Sequence, residues 1–171
     1  FTGAEVCMHA GYGPVRNSQS AGSMVSQLFP GQQCHWLTGT SAPCTGIFKP
    51  VWMDAGLPET GPAPTAQFTP ESLWWRHELL HREVLRDYQA RLSAYREDRD
   101  ALESEFFQRA QALHSASGDE RYEFSAGCFR DAESARQQWH ARIKDMPLSR
   151  RLSFSYALAW KGFNRQAKMS G

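Results

Sequence analysis

Charge is almost absent from the first seventy residues of this chain. Only Glu5, Arg16, Lys49, Asp54 and Glu59 carry it there, and the other 32 charged residues follow. Turn-forming residues show the opposite bias, with 9 of 13 Gly and 7 of 9 Pro before residue 70. Little charge, frequent turns and short apolar runs describe strands joined by loops. Dense charge with few breakers describes helices. The chain therefore reads as α+β. Within a single partial domain, 1–171, it has a sheet-forming part at 1–53, a Pro/Gly-rich linker at 54–69 and a helical part at 70–171.

The overall balance narrows the function classes. A formal charge of +1 leaves no basic surplus for nucleic acid or an anionic membrane. Mean hydropathy is −0.57, and no run approaches the roughly 18 apolar residues of a membrane span. Cys7, Cys34, Cys44 and Cys128 form no CxxC pair and match no zinc-finger spacing, so they read as reduced thiols of a cytoplasmic protein. The chain starts at Phe1, which suggests a processed or truncated piece of a longer protein.

Three short strands are expected at about Ala4–His9, Ser23–Leu28 and His35–Gly39, with Phe48–Met53 as a fourth extended piece. They show little polar alternation, so both faces should be covered. Thr69-Pro70-Glu71 reads as the start of a helix, with Thr as cap and Pro in the first turn. Leu73, Leu80, Val84, Tyr88, Leu92, Tyr95, Leu102, Phe106 and Leu113 continue its apolar stripe to about Ser115, a length that leaves room for a bend. Ser117-Gly118-Asp119 stops it and caps a second helix, whose stripe is Tyr122, Ala126, Phe129, Ala132, Trp139 and Ile143. After the Met146-Pro147 break a third helix is expected over Leu148–Phe163. The first two helices should pack antiparallel, with their aromatic stripes as core.

His77-Glu78-Leu79-Leu80-His81 matches H-E-x-x-H. On a helix, two His at i and i+4 share a face and can reach one Zn²⁺, with Glu as general base. Flanking Arg76, Arg82 and Glu83, and the lack of a third His at the HxxGxxH spacing, favour a plainer reading. That reading is two His and a Glu on the wet or half-buried side of a long helix. The zinc metallopeptidase built on His77, Glu78 and His81 remains the alternative.

The first fifty residues are polar without charge: Val6-Cys-Met-His9, Arg16-Asn-Ser-Gln19, Gly22-Ser-Met-Val-Ser26, His35-Trp-Leu-Thr-Gly-Thr-Ser-Ala-Pro-Cys44 and Ile47-Phe-Lys-Pro50. Small hydroxyls and amides at strand ends can hold a peptide-like substrate by hydrogen bonds, or can simply be turn chemistry. Arg16 suits a substrate carboxylate or a surface turn. Asn17, Ser18, Gln19 and Ser23 could position a scissile amide or its oxyanion, and Thr40 and Ser41 close the neighbouring strand. Lys49 could pair with a carboxylate in the site, but it reads first as one half of a structural ion pair. His9 reads as a satisfied core histidine, Cys7 as a buried strand residue, and Cys44 as either a loop residue or part of a pocket wall.

The order of these motifs resembles the C-terminal half of the secernin/dipeptidase family of cysteine peptidases. The resemblance covers most of residues 5–115, including the Leu73-Trp-Trp-Arg-His-Glu helix start. It implies the C-terminal part of a four-layer αββα sandwich of the N-terminal nucleophile hydrolases. It also implies an amide hydrolase (dipeptidase) acting on dipeptides or small amides, with no metal or other cofactor. The nucleophile would be a Cys at a mature N-terminus, activated by its own α-amine. No residue here can take that role, since Cys7, Cys34 and Cys44 are internal, so the attacking Cys should lie upstream. The implied partners are the missing N-terminal half or another copy of the chain in a homo-oligomer. A non-catalytic, secernin-like interaction protein is the remaining alternative.

Overall fold

The computed structural model describes residues 7–10, 18–30 and 32–169. The strand expected at Ala4–His9 falls mostly outside them, and residues 7–9 are irregular. The protein is α+β. Strands β1 (Met24–Phe29), β2 (Gln32–Leu37) and β3 (Lys49–Val51) form one antiparallel sheet in the order β1-β2-β3. Met24 pairs with Leu37 and Phe29 with Gln32, while Trp36 pairs with Val25 on one side and Pro50 on the other. Pro50 has no N–H to donate and is tolerated because β3 is an edge strand.

The expectation that every strand is covered on both faces fails at β1. Met24, Val25, Leu28 and Phe29 are 62, 55, 69 and 49% exposed. Because successive residues point to opposite faces, both faces of β1 carry bare apolar side chains. The cause is topological: β1 is the edge distant from β3, and the helices pack on β3, which is wholly buried.

The long first helix expected to run to Ser115 is three: α1 (Leu73–Arg86), α2 (Tyr88–Ser93) and α3 (Arg96–Gln111). Both breaks fall where a side chain or backbone has a tertiary partner. At Asp87 (φ −154°) the carboxylate accepts the Ser149 N–H at 2.6 Å. At Tyr95 (φ −139°) the hydroxyl donates to Thr45 O at 3.1 Å. The N-cap of α1 is Ser72, not Thr69, because residues 69–72 close a turn of their own through Ser72 N–H to Thr69 O.

Helix α4 (Gly118–Lys144) begins with a reciprocal capping box between Ser117 and Glu120, as the Ser-Gly-Asp stop suggested. It runs back along α3, with Arg142 near its end bonded to Asp98 at the α3 start. Helix α5 (Phe154–Gln166) starts six residues later than expected, capped by Ser153, because Asp87 holds Ser149 in the connector.

The first stripe and the far end of the second form the core, whereas Tyr122, Ala126 and Phe129 are only half-buried and Cys128 takes the inner position in that stretch. Leu80, Val84, Leu92, Tyr95, Phe106, Trp139 and Ile143 are buried together with Trp36, Ile47 and Trp52 of the sheet region. Tyr95 stacks on Trp139 at 4.8 Å between ring centres. A smaller cluster of Ala10, Leu85, Tyr156 and Trp160 seats α5 and anchors the segment that carries Cys7 and His9. No helix among the described residues is long and apolar enough to cross a membrane.

Candidate functional site

Segments 7–10, 18–20 and 40–45 lie side by side on α1. Met8 N–H donates to Ser20 Oγ at 3.0 Å, Ser20 N–H to Met8 O at 3.0 Å, and Ala42 N–H to Ser20 O at 2.9 Å. Pro43–Thr45 then forms one turn of 3-10 helix. Ala42, which caps it, is fully buried with φ 46°, a left-handed conformation that costs a non-glycine residue roughly 1–2 kcal/mol. Arg99 reaches this turn from α3 and donates to Cys44 O at 2.5 Å.

This arrangement gathers Cys7, His9 and Cys44, whose ligand atoms all lie within 4.8 Å of one another. Cys44 Sγ is 3.3 Å from His9 Nε2. Among the described residues this is the one group of three or more His, Cys, Asp or Glu close enough to share a metal ion. Cys7 is half-buried rather than a buried strand residue, because its segment is a loop tied to Ser20. A hydrogen bond from Cys44 pulls the Cys7 thiol down to about 4 against the opposing effect of burial, with His9 assisting. The same bond, together with burial, pushes the Cys44 thiol up. Burial and a hydrogen bond to Cys44 likewise raise Tyr88. The His9 ring stacks on His81 at 5.3 Å and tilts against Tyr88 at 5.8 Å.

The H-E-L-L-H residues are not on a wet face. His77 is 4% exposed, and Glu78 and His81 are 0%. The flanking charges are taken up by partners: Arg76 by Glu133, Arg82 by Glu78 and Glu83 by Arg91. His77, Leu80, His81, Val84 and Tyr88 follow the three-to-four-residue spacing of the apolar stripe itself, which was visible in the sequence. The two imidazoles converge on a hydroxyl: Thr45 Oγ1 is 3.1 Å from His77 Nε2 and 3.4 Å from His81 Nδ1. Burial lowers His77 well below the usual histidine range and His81 to about 4, so both stay neutral at pH 7. Glu78 accepts from Ser41 Oγ at 2.5 Å, Gln19 Nε2 at 2.7 Å and Arg82 Nε at 2.8 Å. Arg82 lies between the rings of Trp75 and Trp160, 5.5 and 5.1 Å from their centres.

Of the residues expected to bind substrate, Arg16 and Asn17 lie outside the described residues. Ser18 is exposed and points its hydroxyl at Met8 Sδ, 3.4 Å away. Gln19 is half-buried and Ser41 fully buried, both on Glu78. Ser23 is half-buried, and its N–H donates to Thr38 Oγ1 at 3.0 Å. Thr40 is buried, and its hydroxyl has no hydrogen-bond partner among the described residues. It borders a cavity of about 20 Å³ shared with Gly46, Lys49 and His77. That is room for about one water, not a dipeptide.

Lys49 has no ion-pair partner among the described residues. It is 2% exposed, and its ammonium donates to Thr38 O at 2.7 Å and Ile47 O at 2.8 Å, 5.1 Å from the Phe129 ring centre. Burial lowers it to about 7.

Two features escape a sequence reading. Glu78 is the hub of the polar network, and Cys44 joins Cys7 and His9. The first depends on Gln19 and Ser41, which lie 59 and 37 residues from Glu78. The second had no local signal, since 35 residues separate His9 from Cys44. Comparison with family models, with curated proteins and with solved structures finds no match in any of the three.

Proposed function

We propose that this chain is the C-terminal part of a cysteine-type N-terminal nucleophile amide hydrolase that cleaves dipeptides or small amides. In this reading the attacking Cys and its α-amine come from polypeptide outside the chain. The observation that carries it is the convergence of three separate motif segments. Cys-Met-His, Ser-Gln and Ser-Ala-Pro-Cys are far apart in sequence, yet they share one hydrogen-bonded patch through Met8, Ser20 and Ala42. These segments are among those that carry the resemblance to the secernin/dipeptidase family. The bare edge and faces of β1 fit a sheet that is continued by other strands, as the αββα sandwich requires. In that assembly the exposed Ser18 faces the substrate, whereas Gln19 and Ser41 stiffen the wall through Glu78.

The test uses the polypeptide encoded upstream, produced together with this chain, and measures amino-acid release from dipeptides. Hydrolysis that disappears when the leading upstream Cys becomes Ser, and that resists a zinc chelator, supports the reading. Hydrolysis that survives that substitution rejects it. An inactive assembly with its Cys intact points instead to a non-catalytic interaction protein.

A further inference from the structure

We propose that Cys7, His9 and Cys44 form a binding site for a thiophilic divalent cation, with zinc as the natural occupant. The chemistry of the donors selects the metal. Two sulfurs and one imidazole suit zinc, whereas magnesium and calcium need oxygen ligands, and no carboxylate belongs to this group. A tetrahedral zinc with bonds of about 2.0–2.3 Å places its ligand atoms roughly 3.5–3.8 Å apart. The three atoms here lie within 4.8 Å of one another and Cys44 Sγ is 3.3 Å from His9 Nε2, so small shifts close the site.

The surroundings hold these ligands in place before any metal arrives. The Cys44 carbonyl is fixed by Arg99, and the next carbonyl, of Thr45, by Tyr95. His9 is clamped between the rings of His81 and Tyr88. The loop carrying Cys7 is tied at Met8 to Ser20. Zn²⁺ with two thiolates and a neutral imidazole carries no net charge, which lowers the cost of a half-buried site. Each thiol that binds as thiolate releases its proton to solvent. Three protein ligands leave the fourth position to water.

The site does not depend on the hydrolase proposal, and its test reads metal alone. The full chain, stripped of metal and kept reduced with a phosphine, is titrated with Co²⁺. The expected result is saturation at one Co²⁺ per chain, with an intense thiolate-to-cobalt charge-transfer band that Zn²⁺ then abolishes by displacement. Cys7→Ser and Cys44→Ser should each weaken binding by more than the roughly 10–100-fold that losing an outer partner costs. Cys34→Ala should leave the titration unchanged. A second measurement needs no variant: zinc should protect Cys7 and Cys44 of the wild-type chain from iodoacetamide, as mapped by peptide mass spectrometry. Absence of the charge-transfer band overturns the proposal, as do cobalt bands without thiolate character, which would place the metal on His77 and His81. Alkylation of Cys7 and Cys44 that is identical with and without zinc also overturns it.

Discussion

Ser41 Oγ donates to Glu78 Oε1 across 2.5 Å, joining the loop after β2 to the middle of α1 inside the protein. Gln19 and Arg82 complete the shell of the same carboxylate. A buried carboxylate is tolerated only with such partners, and its loss strands them.

Glu78→Ala should therefore destabilise the fold by about 3–5 kcal/mol, because the guanidinium of Arg82 and two polar side chains lose their acceptor. Glu78→Gln keeps the shape and should cost about 1–3 kcal/mol. Urea unfolding followed by tryptophan fluorescence would check both. Equal, small losses for the two variants would show that the carboxylate is not a hub.

His77→Ala should cost about 1–3 kcal/mol through the emptied core position and the lost contact with Thr45. The relevant measurement is the unfolding midpoint with and without chelator. A loss of stability that appears only when metal is present would instead make His77 a ligand.

The pH dependence of stability should have a histidine component in the acid range. His81 is held near 4 in the folded chain by burial, against about 6.5 when unfolded. Between these values the unfolded chain binds a proton that the folded chain does not. Stability from this group is complete above pH 6.5 and declines as pH falls toward 4, with a slope approaching about 1.4 kcal/mol per pH unit. His81→Asn should flatten the urea midpoint over that window. An unchanged profile would mean the imidazole is solvated.

Lys49 should act at the other end of the scale. Burial lowers it to about 7, while an unfolded lysine titrates near 10.5. From pH 7 upward the unfolded chain again holds the extra proton, so stability should rise with pH across this interval. Lys49→Met should remove that rise and leave the acid limb as it was. Comparing midpoints at pH 6.5 and 9 for both proteins tests this.

The sequence by itself determined the division into a sheet-forming part and a helical part. It also determined which helix faces go inside, because apolar periodicity and capping act over a few neighbouring residues. The Ser117 cap and the buried Leu80, Val84, Phe106, Trp139 and Ile143 follow from that alone. The stripe even contained His77 and His81, although their charged neighbours suggested otherwise. Only the tertiary structure decided where the helix breaks, because Asp87 and Tyr95 leave helical geometry to meet Ser149 and Thr45. It also decided that Cys44 would meet Cys7 and His9. Loops bring those side chains together, and a loop's path is set by its long-range partners, here Ser20, Arg99 and α1, rather than by a local repeat.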